Sequence, residues 1–245
     1  MRNVRLIVEY EGTNYAGWQI QEGLPTVQGA LADAASELTG AEVVVRGASR
    51  TDAGVHALGQ VACFNTSSSI PASSMARALN AKLPSDIVVI EATDAEAAFD
   101  PRRDSKSKTY RYRILNRAMP SAVHARFSWF VYEPLDIGLM REAARHFIGE
   151  KDFASFMAAH SDAAHSIREV TGVEIERKGD EIVEVEVRGT AFLRHMVRIM
   201  VGTLVEVGKG KLPPDGVLPI LDAKDRRVAR MTAPPQGLCL VRIEY

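Results

Sequence analysis

Arg50, Asp52 and His56 fall close together in the stretch "GASRTDAGVHALGQ", residues 47–60. A carboxylate can attack an electrophilic carbon or move a proton. A guanidinium stays positive at any physiological pH, and an imidazole titrates near neutrality. Three such groups on one glycine-containing loop are a candidate catalytic centre. They also have an ordinary explanation. An aspartate in such a turn commonly hydrogen-bonds its own backbone, with an arginine as its surface partner. Spacing alone leaves both readings open. His56 has no partner nitrogen or carboxylate at ligand spacing and reads as structural. The histidines of "HSDAAH", residues 160–165, match no helix-face metal pair and read as a solvated loop.

The elements that must carry this loop are legible from periodicity. "VRLIVEY" alternates Val4, Leu6, Val8 and Tyr10 on one face, as a half-buried strand does. Residues 43–46 and 60–64 read as strands flanking the loop. Between the first two strands, Val27, Ala30, Leu31, Ala34 and Leu38 mark a helical face, with Thr26 as N-cap and Gly40 as stop. A second helix capped by Ser73 or Ser74 runs to about Lys82, and residues 87–91 form a further strand. The rhythm then repeats. "KTYRYRILN" sets Tyr110, Tyr112 and Ile114 against Arg111 and Arg113. Asp136 caps a helix with the stripe Met140, Ala143, Ala144 and Phe147. "EIVEVEVRG" alternates Val183, Val185 and Val187 with Glu184 and Glu186. A long helix over residues 190–207 would put Arg194 and Arg198 on one face, and "GLCLVRIEY" closes the chain as a strand.

Each half therefore reads roughly as strand–helix–strand–strand–helix–strand, the second with one strand fewer picked out. The expected fold is α+β: two similar α/β halves share a central mixed, mainly antiparallel sheet. Helices cover one face, and the catalytic cleft lies between the halves. The halves are residues 1–104, carrying the Asp52 loop, and 105–245. The boundary lies where Pro101 coincides with a charge reversal: residues 91–100 carry four acids and no base, and residues 102–117 carry seven Lys/Arg and one Asp. That segregation gives a chain of net charge −1 one positive face suited to a polyanion.

At 245 residues, 46% hydrophobic and 25% charged, the chain can bury a substantial core. Arg194 and Arg198 interrupt the best apolar run, so no segment is long enough to span a bilayer. The opening "MRNVRLIVEYEG" becomes charged too early for a secretory signal. Cys63 and Cys239 read as buried thiols of a reducing compartment, which places the chain in the cytoplasm. No dinucleotide or phosphate-cradling glycine loop is present.

The loop "GASRTDAGVHALGQV", with its core Arg50-Thr51-Asp52-Ala53-Gly54-Val55-His56, resembles the signature of the A-type tRNA pseudouridine synthases, which act on the anticodon arm. "YEGTNYAGWQ", "KTYRY", "FLRHMVRIMVGTLVEVG" and "TAPPQGLCLV" resemble further segments of that family, in its order and over nearly the whole chain. The resemblance implies that Asp52 is the catalytic carboxylate and Tyr110 the tyrosine that stacks on the target base. It implies that Arg50 holds the place or phosphate of the flipped nucleotide. Arg198 would pair with the aspartate, and Leu238 would form the pocket floor. It implies tRNA as partner, positions 38 to 40 of the anticodon arm as target, a homodimer, and neither cofactor nor metal.

The residue types suit that chemistry. A target base must leave its stack at a cost of a few kcal/mol, and an aromatic platform returns about 1–3 kcal/mol. Arg102, Arg103, Lys106, Lys108 and Arg111 are expected to hold the RNA backbone. Burial raises a carboxyl pKa and a neighbouring guanidinium opposes that. A single carboxylate in a dry pocket fits isomerisation, whereas glycoside hydrolysis takes two. Two rivals are an RNA-binding protein without catalysis and an aspartate-nucleophile phosphotransferase, the latter requiring a metal and further carboxylates. Tyr15 and Trp18, between glycines, lean toward RNA contact, and Phe153 and Phe156 toward the core.

Overall fold

The computed structural model describes residues 1–159 and 164–245; His160 of the "HSDAAH" stretch lies outside them. The chain forms two compact units, one of Met1–Lys106 with Leu240–Tyr245, the other of Ser107–Cys239. The fold is α+β, and its strands pair mainly antiparallel, with one parallel pair.

The first unit runs β1 (Arg2–Tyr10), α1 (Val27–Thr39), β2 (Arg46–Gly47), β3 (His56–Thr66), α2 (Ala72–Asn80) and β4 (Ile87–Ala95). β1 is central, antiparallel to both β3 and β4, and β2 pairs with β3. Val4, Leu6, Val8 and Tyr10 are buried as their alternation requires. α1 has the predicted ends. Thr26 Oγ1 accepts the Gly29 N–H at 3.3 Å, and Gly40 closes the helix with φ 70°, a left-handed conformation that glycine adopts without penalty.

Two expectations fail here for local reasons. The strand expected over residues 43–46 shrinks to Arg46–Gly47 because α1 side chains occupy its backbone groups. Ser36 Oγ accepts the Val43 N–H at 2.9 Å, and Gln28 Nε2 donates to the Val45 carbonyl at 2.7 Å. α2 starts before either expected serine cap, with Pro71 in the cap position and its carbonyl accepting the Ser74 N–H at 2.9 Å.

The second unit contains β5 (Ser107–Asn116), β6 (Trp129–Val131), α3 (Ile137–Ala144), β7 (Gly149–Asp152), β8 (Ile167–Lys178), β9 (Ile182–Gly189), α4 (Met196–Gly208) and α5 (Val217–Ala223). β10 (Leu238–Glu244) starts in this unit and ends in the first. Strand order is β5-β9-β8-β7, with β6 parallel to β5. Tyr110, Tyr112 and Ile114 face Val187, Val185 and Val183 across the β5/β9 ladder. Asp136 caps α3 by accepting the Leu139 N–H at 3.0 Å. Phe147, Phe153 and Phe156 are all fully buried and in mutual ring contact, so the latter two belong to the core.

α4 begins six residues later than periodicity predicts, at Met196. His195 has φ 65°, a conformation no helix interior accommodates. Thr190 N–H still donates to the Glu169 carbonyl at 3.2 Å, and the Arg194 carbonyl accepts the Ala158 N–H at 3.0 Å. Arg194 is therefore exposed in the approach to α4 and shares no helix face with Arg198.

Candidate active site

The Asp52 loop is held on both sides by parts of its own unit. Behind it, Gln60 is completely buried on β3. Its amide accepts the Ser49 N–H at 3.2 Å and donates to the Ser49 carbonyl at 2.6 Å. In front lies the segment of residues 10–18. Tyr10 Oη and Thr51 Oγ1 are 2.7 Å apart and buried. Trp18 N–H donates to the Thr51 carbonyl at 3.1 Å, and Gly54 N–H to the Tyr15 carbonyl at 3.4 Å. A Cβ added to Gly17, whose φ is +105°, would sit 2.6 Å from the Thr51 carbonyl oxygen. The two backbones are thus in direct contact, and only glycine fits. Inside the loop, Val55 N–H closes a turn on the Asp52 carbonyl at 3.2 Å. Asp52 is left half-buried, with Arg50 exposed beside it.

In the second unit, the segment of residues 231–238 carries Leu238, which is buried at the start of β10. Arg198, on the first turn of α4, holds this segment at two points. Its Nε donates to the Ala233 carbonyl at 2.8 Å, and its own carbonyl accepts the Ala233 N–H at 3.0 Å. Tyr112 Oη donates to the Pro234 carbonyl at 2.7 Å. Gly237 lies against the Tyr112 ring so closely that a Cβ would approach it to 2.6 Å. Arg198 and Tyr112 therefore hold the segment that leads into Leu238. Tyr110, one residue from Arg111 and Thr109 on β5, is 6% exposed and meets Phe192 edge-on at 5.3 Å between centroids.

The sequence carries the deciding likeness. The profile of the family described as tRNA pseudouridine synthase matches residues 6–102 and 143–245. A protein of Myxococcus xanthus named tRNA pseudouridine synthase A is 46% identical over 245 residues, covering 100% of this chain and 92% of its own. Proteins of the same name from a Thermoanaerobacter species and from Geobacter sulfurreducens are each 48% identical over 245 residues, covering 100% of both chains. This chain belongs to the tRNA pseudouridine synthase family.

For a tRNA pseudouridine synthase, several polar residues do other work than their types suggest. Arg111, expected on the RNA backbone, is paired with Glu186 at 3.1 Å and Glu184 at 3.6 Å, Lys108 is buried, and Arg103 pairs with Asp104 at 3.0 Å. The alternating glutamates of β9 explain Arg111: cross-strand opposite charges attract. Trp18 is 2% exposed, tilted at 34° beside the Tyr10 ring and packed against Gly47, so it is a buried residue of the loop's support, where RNA contact was expected. Tyr15 donates to Asp86 Oδ1 at 2.5 Å, and burial pushes its hydroxyl pKa upward, Asp86 adding to the shift. Tyr112 is core. Neither cysteine is in a disulfide. Cys63 is buried, which raises its thiol pKa, with Arg46 opposing; Cys239 is only half-buried. Among the described residues no cluster of His, Cys, Asp or Glu could hold a metal, and no helix is long and apolar enough to cross a membrane.

Sequence periodicity places Tyr10 and Tyr112 on strand faces and leans toward RNA contact for Trp18, but gives none of these residues, nor Gln60 or Gly237, its role in supporting the site. The signal available was indirect: glycines next to aromatics, whose backbones let a ring or a carbonyl approach closely.

Proposed function

We propose that this synthase isomerises uridine to pseudouridine in the anticodon stem-loop of tRNA, at positions 38 to 40, with Asp52 as its catalytic carboxylate. The reaction breaks the bond from uracil N1 to ribose C1′, turns the ring and joins C5 to C1′. The C5 proton leaves and N1 takes one up, so no oxidant, reductant or water is consumed. The base must first be everted from the stem-loop. Tyr110 stacks on it, Leu238 closes the pocket floor, and Arg50 holds the vacated place or the phosphate beside it. Arg198 supplies the positive partner of the Asp52 carboxylate, a guanidinium that stays charged at any physiological pH. Exclusion of water keeps the detached uracil from being lost to hydrolysis.

The observation that carries the reading is the match over the whole of this chain to proteins named tRNA pseudouridine synthase A, in a sequence that places Arg50, Thr51 and Asp52 on one short loop. The clamp around that turn adds physical support, because a nucleophile acts at speed only when its position is fixed before the substrate arrives. We further assign a homodimer, which would extend the modest basic surface of one chain, and a cytoplasmic location alongside tRNA. The test is product mapping. Purified chain incubated with unmodified tRNA transcripts is expected to yield pseudouridine at positions 38 to 40. Pseudouridine confined to another arm, or none at all, contradicts the assignment.

A further inference from the structure

We infer that His56 is a positioning residue for Asp52: its imidazole Nδ1 accepts the Gly12 N–H and stitches the catalytic loop to the segment of residues 11–18. The inference rests on Asp52 being the catalytic carboxylate.

His56 is the first residue of β3 and is 6% exposed. Gly12 N lies 3.0 Å from its Nδ1. A backbone N–H can only donate, so Nδ1 carries a lone pair and the proton of the neutral ring sits on Nε2. Gly12 offers no room for a substitute. A Cβ there would lie 1.9 Å from the Val55 carbonyl oxygen, so the two backbones touch without an intervening side chain or water. The Gly12 segment is anchored elsewhere as well. Glu11 N–H donates to the Asp86 carbonyl at 2.9 Å, and Tyr15 donates to the Asp86 carboxylate.

Asp52 is bracketed by these contacts. Before it, Thr51 is held by Tyr10 and Trp18. After it, Gly54 is held through its backbone and His56 through its ring. Loss of the His56 bond releases the far side of the turn, and the Asp52 carboxylate swings while the RNA-binding surface stays in place. Affinity for tRNA comes from many phosphate contacts. Rate depends on where one carboxylate sits, and a misplacement near 1 Å costs on the order of 10²-fold.

The experiment compares His56→Ala, His56→Asn and His56→Gln in single-turnover tritium release from C5-labelled tRNA, with tRNA affinity measured separately. Asn places its oxygen where Nδ1 stood and keeps the acceptor, whereas Gln carries its oxygen one bond further. His56→Ala is expected to lose on the order of 10²-fold in rate with unchanged affinity, His56→Asn to recover most of that, and His56→Gln to stay near Ala. A His56→Ala enzyme with wild-type rate overturns the inference, as does a folded His56→Asn enzyme no faster than His56→Ala. Should the Ala variant not fold, nitrogen NMR of the wild-type imidazole decides. An unprotonated Nδ1 supports the inference and a protonated one overturns it. Asp52→Asn is assayed alongside. Full activity there sinks the assignment of Asp52 itself; an inactive Asp52→Asn beside a fully active His56→Ala sinks only the role of His56.

Discussion

Replacing Gln60 by Leu keeps its volume and burial and removes one thing, the pair of bonds to Ser49. They measure 3.2 and 2.6 Å, and the Gln60 end is completely buried. Leaving a buried polar group unpaired costs about 1–3 kcal/mol. Two groups would give about 2–6 kcal/mol, but Ser49 is half-buried and water can reach it, so the low end, about 2 kcal/mol, applies. For a chain of this size each kcal/mol lowers Tm by about 2–4 °C, so the loss is roughly 4–8 °C. The same change frees the chain three residues before Asp52, and tritium release is expected to slow on the order of tenfold or more, since placement of a reacting group governs rate. Thermal unfolding followed by circular dichroism measures the first effect, and single-turnover kinetics below the new Tm the second. Wild-type Tm together with wild-type rate in Gln60→Leu would refute the claim that this amide holds the loop.

Further expectations follow from the second unit. Tyr112→Phe deletes the bond to the Pro234 carbonyl and costs about 1–2 kcal/mol; a denaturation midpoint equal to wild type would contradict it. Asp152 accepts hydrogen bonds from Ser166 Oγ and, at 3.1 Å, from Ala154 N–H, and pairs with Lys224 at 3.2 Å. The Ser166 bond is the largest cause of its lowered pKa, and Lys224 adds to it. A carboxyl whose folded pKa lies below its unfolded value of about 3.9 stabilises the fold above that pH, and the benefit fades as pH falls through the folded value. The stability difference between wild type and Asp152→Asn is thus expected to be present at neutral pH and to close in acid. A difference that grows on acidification contradicts the sign.

Legibility followed how local each determinant is. α1 was readable because Thr26 and Gly40 bracket an apolar stripe within the helix's own sequence. β8 was not foreseen. A bulge between Val170 and Gly172 shifts its register, so its buried residues, Val170 and Ile175, fall on opposite phases of a two-residue alternation. The late start of α4 depends on one backbone conformation at His195, which residue type does not announce. Residues 43–45 have a strand's composition and lose the ladder to two side chains of α1. The site divides in the same way. Asp52 and Arg50 stand out because a short loop concentrates them. Gln60, Tyr112 and Gly237 support their segments through contacts that form only once the chain has folded.

The most direct test of the account is tritium release from C5 of uridine-labelled tRNA by Asp52→Asn, which removes the charge and nearly preserves the shape. The account predicts no release above the uncatalysed background while the folded protein still binds tRNA. Release at the wild-type rate would contradict it.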